Sequence, residues 1–132
     1  MIRIATRISA DWLDRPEDLK FIKQIGVDYV DIVLDMVPGY NKAGGRATKD
    51  GLAEVIEKLD DAGLKIERAN TSGPDYVNAF LGQAGGEQEI ENLQVNAELC
   101  GEAGLPLFGI QCFQTATLFP FRDELHSWVT GR

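Results

Sequence analysis

The sequence is poor in the residue types that mark several functional classes. Its 132 residues include one histidine, His126, and two cysteines, Cys100 and Cys112. The spacing of the cysteines indicates neither a disulfide framework nor a CxxC metal site. No apolar run approaches the roughly 20 residues of a membrane helix, and the amino-terminal residues lack a signal-peptide core. We therefore expect a cytoplasmic protein with no membrane partner.

Positive charge is also scarce. The chain has 13 Lys and Arg residues against 21 Asp and Glu residues, a formal net charge of −8 and a pI near 4.6. Because affinity for nucleic acids depends on cationic contacts to phosphate, this balance predicts no nucleic-acid partner. The length, with 44% hydrophobic residues, predicts one core and thus a single domain over residues 1–132.

A repeated pattern of helix, glycine and strand organises the chain. Leu52, Val55, Ile56 and Leu59 lie at i, i+3, i+4 and i+7, which predicts one buried helix face. The helix is expected to end at Gly63, and an extended segment follows at once. The same pattern occurs at Gly26 and Gly104, a spacing typical of successive βα units. The sequence thus predicts an α/β fold with four parallel strands and helices on one face of the sheet.

The strands are expected at residues 2–9, 29–36, 65–71 and 107–113. In the first two, alternate residues are apolar, so that Arg3 and Arg7, and Asp31 with Asp35, fall on the opposite face. Two carboxylates on that face require partners, and Arg3 or Arg7 is the expected one. The alternative is that the arginines are simply solvated.

Polar side chains stand at the carboxyl end of each predicted strand, where α/β proteins place their ligands. They are Arg7, Asp35, Asn70 and Gln111, which we predict to converge as a substrate-binding group. No residue is assigned as catalytic or as a metal ligand. His126, which lies near Trp128, is expected to pack or to lie on the surface.

The sequence also predicts the second and third helices and the loops that precede them. Thr48 is expected to open the second helix, after a Gly-rich, flexible βα loop without the spacing of a P-loop. Residues 72–88 are expected to form a long loop of the binding or lid type. The third helix, residues 87–103, is expected to bury the stripe Ile90, Leu93, Ala97 and Cys100.

The segments DGLAEVIEKLDDAGLKIERANTS (50–72) and GEQEIENLQVNAELCGEAGLPLFGIQCF (86–113) resemble the amino-terminal half of mannonate dehydratases. More broadly, they resemble the xylose-isomerase-like sugar isomerase superfamily. The resemblance implies a TIM barrel that acts on a sugar acid or ketose with a divalent, manganese-like metal, and for the dehydratase the conversion of mannonate to 2-keto-3-deoxygluconate. The family's metal ligands come chiefly from the second half of the barrel. Asn70 stands where the family has a carboxylate, and Leu34-Asp35 where it has histidines.

Four βα units are half of an eight-unit barrel, so the resemblance implies the amino-terminal half of a (β/α)8 barrel. Three interpretations are open: an incomplete chain that lacks its carboxyl-terminal half, a homo-oligomer in which two copies complete the barrel, or an open α/β domain. The sequence favours the first, because no terminal structural signal precedes Arg132. A related isomerase or epimerase, and a non-catalytic binding or assembly module, remain as alternatives. The chain by itself is expected to bind no cofactor and to be inactive.

Overall fold

The computed structural model describes residues 2–41 and 44–110, and Gln111, Cys112 and His126 lie outside these ranges. The described elements alternate in the order βαβαβααβ. They are β1 (Ala5–Arg7), α1 (Pro16–Gln24), β2 (Tyr29–Val33), α2 (Lys49–Asp61), β3 (Lys65–Asn70), α3 (Val77–Leu81), α4 (Gly86–Glu102) and β4 (Leu107–Gly109). Short 3-10 turns cover Ala10–Asp14, Leu34–Met36 and Gly73–Tyr76.

All four strands lie in one sheet in the order β1-β2-β3-β4, and every neighbouring pair is parallel. The alternation of helices with parallel strands in sequence order is the arrangement of a βα half-barrel, as the sequence predicted. Among the helices described here, none has the length and apolarity to cross a membrane.

Glycine ends all four described helices in the same way, with Gly82 after α3 and three further glycines before strands. Gly26, Gly63 and Gly104 have φ of 87°, 75° and 75°, the left-handed region that glycine enters without steric cost. After α2, the Leu64 amide donates to the Leu59 carbonyl (2.9 Å) and the Gly63 amide to the Asp60 carbonyl (2.9 Å). This pair of hydrogen bonds is the Schellman motif, and it recurs after α1, α3 and α4. The predicted glycine stops are confirmed.

One hydrophobic core joins the sheet to the helices. Val30 and Ile32 of β2 are fully buried, and with them in one cluster lie Leu19 and Ile22 of α1, Leu52, Val55 and Leu59 of α2, and Cys100 of α4. Because alternate strand residues point to opposite sides, the helices cover the side of the sheet that carries Val30 and Ile32. The opposite side, called the inner face below, carries Tyr29, Asp31 and Val33.

The first two strands are shorter than predicted. β1 pairs only from Ala5, opposite Tyr29, and Ile2 and Ile4 before it are 93% and 71% exposed. Alternating apolar residues indicate one face of a strand, but a strand also requires a hydrogen-bonded neighbouring strand. β2 begins only at Tyr29, so its pairing with β1 begins at Ala5. β2 ends at Val33, so Asp35 lies in a 3-10 turn and not on the strand.

A β-bulge explains the irregular pattern of the third strand. Val30 pairs with Ile66 but Asp31 pairs with Arg68, so Glu67 is the additional residue. The buried residues Ile66 and Ala69 are consequently three positions apart. Strict alternation does not apply across this strand.

Gly104 and Gly101 allow a matched pair of substitutions. Gly104→Ala should lower the free energy of unfolding by about 1 kcal/mol, because alanine disfavours a left-handed backbone. Gly101→Ala, in the last turn of α4, should leave it unchanged or raise it by a few tenths of a kcal/mol, because alanine favours a helix (~1 kcal/mol in helix interiors). A Cβ at either position meets no atom within 4 Å, so packing does not differ. Urea unfolding followed by circular dichroism measures both. Equal effects of the two substitutions would contradict the assignment of Gly104 as a helix cap.

Candidate functional site at the carboxyl ends of the strands

Three of the four predicted site residues can be placed. Arg7 is the last residue of β1 and is exposed, Asp35 is exposed just beyond β2, and Asn70 is the last residue of β3. Because the strands are parallel, their carboxyl ends lie at the same end of the sheet, and these positions lie there too. This end is called the rim below. Gln111 lies outside the described residues. Binding of substrate by this group stays a prediction.

Asn70 differs from the other two because its side chain is buried, with 4% exposure. Its amide donates to the Ile32 carbonyl (3.1 Å), and a Cβ at Gly109 would overlap its side-chain oxygen. The next residue, Thr71, donates its backbone amide to the Gly109 carbonyl (2.9 Å). Asn70 and Thr71 therefore hold β3 to both neighbouring strands at the rim.

A tyrosine and an aspartate join the two rim loops. The hydroxyl of Tyr40, in the loop after β2, donates to the carboxylate of Asp75, in the turn after β3. Burial, this hydrogen bond and the charges of Asp75 and Asp35 raise the pKa of Tyr40 above its ordinary value. Tyr40 is therefore a hydrogen-bond donor at neutral pH and not a base. The sequence does not identify this pair, because its only signal is two polar residues shortly after successive strands.

Two ion pairs occupy the inner face below the rim. Asp31 accepts a hydrogen bond from Arg68, and Arg3 lies 3.3 Å from Glu67 with its guanidinium over the Tyr29 ring, 5.2 Å from the centroid. The prediction that Arg3 or Arg7 pairs with Asp31 is wrong. The bulge at Glu67 brings Arg68 opposite Asp31 on β2 and leaves Glu67 for Arg3.

The loop between β2 and α2 is fixed to α4 by two asparagines. Asn96 accepts from the Ala47 amide (2.9 Å) and donates to the Gly45 carbonyl (2.7 Å). One turn earlier, Asn92 donates to the Gly44 carbonyl and accepts from Arg46 (2.5 Å). The loop predicted to be flexible thus has its residues 44–47 hydrogen-bonded to a helix. Thr48 then accepts from the Gly51 amide (3.2 Å) and caps α2, as predicted.

The asparagines also correct the predicted face of α4. Of the predicted stripe, Cys100 is buried, Leu93 and Ala97 are half-buried and Ile90 is 47% exposed. Asn92 and Asn96, which the stripe did not include, are buried because their neighbour is loop backbone, which requires hydrogen bonds. Burial raises the pKa of the Cys100 thiol to about 11, so Cys100 is an apolar packing group and not a nucleophile at neutral pH.

The long loop predicted at residues 72–88 is partly helical. It contains the turn Gly73–Tyr76 and α3, and Glu89 of α4 accepts hydrogen bonds from the Asn78 side chain (2.7 Å) and the Ala79 amide (2.8 Å). This segment therefore packs on α4 and carries Asp75 to the rim.

A groove of about 430 Å³ lies elsewhere, between α2 and α4. Leu52, Ile56 and Leu99 give it an apolar floor. Its lining comes only from these helices and the residue after α4, so it belongs to the helix layer and not to the rim. Among the described residues, no group of three or more His, Cys, Asp or Glu side chains is placed to hold a metal ion.

Comparison with known proteins gives a likeness in fold. The chain is similar to the crystal structure of mannonate dehydratase from Streptococcus suis serotype 2, with a TM-score of 0.63 and 17% sequence identity. The match covers 83% of this chain and 30% of the dehydratase chain. No protein-family model and no curated protein sequence matches the chain. At this identity the likeness shows the fold, which agrees with the βα half-barrel.

The asparagine contacts give the first prediction for this region. Asn96→Ala should lower the free energy of unfolding by about 2 kcal/mol, because it leaves the Ala47 amide and the Gly45 carbonyl without their partner. Gln94→Ala, at an exposed position on the same helix, should change it by less than about 0.5 kcal/mol. Chemical denaturation of both variants provides the measurement. A similar small effect for both would show that the loop does not depend on Asn96.

Tyr40 gives a prediction about pH. A tyrosine whose pKa is raised by folding stabilises the protein below its unfolded pKa, near 10, and this contribution is lost as pH rises further. Between about pH 9 and 11, the free energy of unfolding should fall more steeply for the wild type than for Tyr40→Phe. Denaturation series at several pH values measure both slopes. Parallel slopes would mean that folding leaves the Tyr40 hydroxyl unperturbed.

Proposed function

We propose that the chain is the amino-terminal βα portion of a sugar-acid dehydratase of the mannonate type, and that its rim orients the substrate. The observation that carries the proposal is the fold match to a mannonate dehydratase over 83% of the chain. The chain spans about 30% of that enzyme's length, so a complete activity requires further βα units in this proposal. The activity is proposed to be cytoplasmic.

The chemistry of the rim supports a sugar-acid ligand. Arg7 is exposed at the end of β1 and, within the described residues, forms no ion pair, so its guanidinium can take a substrate carboxylate in bidentate geometry. Asp35 is exposed and can accept hydrogen bonds from hydroxyls. The hydrogen bond from Tyr40 to Asp75 joins the loop after β2 to the turn after β3.

The described residues do not fit a divalent metal site. A manganese-like ion requires several carboxylate or histidine ligands, and no such group is assembled in residues 2–41 and 44–110. The metal that mannonate dehydratases use is therefore assigned, as part of the proposal, to the remainder of a parent enzyme. Loss of a hydroxyl group requires assistance to the leaving hydroxide and a base for the carbon-bound proton. We assign neither role to a described residue.

A non-catalytic half-barrel that binds sugars or assembles with a partner is the second candidate. One observation favours it over an enzyme fragment. Asn70 donates its amide to the Ile32 carbonyl, and its side-chain oxygen packs against Gly109. Asn70 is thus occupied in joining strands, which leaves Arg7 and Asp35 as the described groups available to a ligand.

The proposal is tested by titrating the isotope-labelled chain with D-mannonate and, separately, with the neutral polyol mannitol. Mannonate should shift the backbone amide resonances of Arg7 and Asp35 with a dissociation constant of about 1 mM. This constant corresponds to a binding free energy of about −4 kcal/mol, which a few hydrogen bonds can supply. Mannitol should bind more weakly because it lacks the carboxylate. With manganese present, the chain alone should form no keto-deoxy acid.

Two charge variants provide the control. Arg7→Ala should abolish the mannonate-dependent shifts, whereas Lys20→Ala, which removes an exposed charge from α1, should retain them. Shifts that survive Arg7→Ala would refute the proposed site. Chelator-sensitive turnover by the chain alone would show that the metal assignment is wrong.

A further inference from the structure

Among the described residues, exposed large hydrophobic side chains are confined to the first and the last βα units. The first unit, residues 2–27, exposes Ile2, Ile4, Phe21 and Ile25. The last unit, residues 71–110, exposes Phe80, Leu81, Ile90, Leu107 and Ile110. The described part of residues 28–70, which supplies β2, α2 and β3, exposes none. Scattered exposed apolar residues are ordinary, but their concentration at both ends marks interaction surfaces.

Charge is divided between the same two units. The last unit contains six Asp and Glu residues and no Lys or Arg. The first unit contains five Lys and Arg residues against four Asp and Glu residues. The last unit is thus strongly negative and the first slightly positive. Contact between unlike ends is favoured by charge, whereas contact between two last units brings like charges together.

The order of the strands in the sheet permits this contact between unlike ends. β1 and β4 are its two outer strands, and among the described residues each pairs on one side only. We propose that a second copy of this chain covers both edges, with β4 of each copy beside β1 of the other. All strands then remain parallel, and four strands from each copy give the eight strands of a closed (β/α)8 barrel.

Closure limits the assembly to a dimer. A head-to-tail contact that failed to close would continue into filaments, whereas two four-stranded sheets related by a two-fold axis leave no edge free. The dimer is proposed for the 132-residue chain by itself and is argued from edges, apolar residues and charge; in the longer parent enzyme of the proposed function, further βα units would cover the same edges in place of the second copy. It would place two sets of rim residues around one barrel mouth.

Sedimentation equilibrium of the full 132-residue chain is the primary test. We expect a dimer at micromolar concentration that dissociates more readily at 0.5 M than at 0.05 M salt, since screening weakens charge attraction. Three outcomes would overturn the proposal: a monomer at about 100 μM, a concentration at which most specific interfaces form, open-ended oligomers, or a dimer insensitive to salt. A monomer would indicate instead that residues 111–132, or βα units of another polypeptide, cover the edges.

Variants locate the interface. Ile2 and Ile4 are exposed, so the pair Ile2→Ser and Ile4→Ser should leave the fold intact but raise the dimer dissociation constant about tenfold or more. Ala53→Ser, at an exposed position on α2, is the control and should have no effect. Similarly, Glu98→Lys in the last unit should weaken the dimer more than Glu57→Lys on α2. Equal effects within either pair would place the interface elsewhere.

Cross-linking distinguishes unlike from like edges. Replacing Cys112 by Ser leaves Cys100 as the native cysteine, and Cys100 is buried. An introduced cysteine then provides the accessible thiol among the described residues. Ile4 precedes β1 and Leu107 begins β4, so both lie at the amino ends of strands that the proposal makes neighbours, and both are exposed. Chains carrying Ile4→Cys and chains carrying Leu107→Cys should be joined by a short bismaleimide only when the two are mixed. Dimers formed as well by either chain alone would contradict the head-to-tail arrangement.

Discussion

The helix stop in a left-handed glycine is the constraint on which this fold depends. At Gly26, Gly63 and Gly104 the chain leaves a helix and approaches a strand within a few residues. The Schellman hydrogen bonds fix the direction of exit, and the residue after each glycine packs back toward the helix. Leu64 and Leu59 are both fully buried for this reason. Three repeats of one turn therefore give parallel strands in sequential order, since each crossover has the same short geometry.

Polar groups, rather than apolar ones, set the shape of the rim. A backbone segment buried against a helix requires partners for its amides and carbonyls, and Asn92 and Asn96 supply them to residues 44–47. Asn70 does the same between strands, and Tyr40 with Asp75 joins the two loops. The cost of leaving any of these groups unpaired makes the loop conformations specific. Among the described rim groups, Arg7 and Asp35 remain exposed.

The inner face and the sheet edges connect the fold to both proposals. Asp31 with Arg68 and Glu67 with Arg3 neutralise charges that would otherwise be costly inside a closed barrel. The apolar residues at the two ends have no such compensation within the described structure. A closed eight-stranded assembly would place another strand beside β1 and β4, next to Ile2, Ile4, Leu107 and Ile110, whether its other half is a second copy or further βα units. The rim would then surround a cavity, which is where barrels of this class bind their ligands.

Local sequence patterns are sufficient to predict the parallel βα order, the glycine stops, the Thr48 cap and the core faces of β2 and α2. These features depend on local periodicity and on turn chemistry, which neighbouring residues encode. The sequence also predicts that Arg7, Asp35 and Asn70 lie near the carboxyl ends of their strands, which in a parallel sheet are at the same end of the sheet.

Contacts between distant segments determine where strand pairing begins and which polar residues are buried. The Glu67 bulge changed the partner of Asp31, the backbone of residues 44–47 buried Asn92 and Asn96 in place of Ile90, and Asp75 reached Tyr40 across 35 positions. Each of these results depends on contacts between distant segments. Periodicity along one segment carries no information about which backbone groups another segment will present to it.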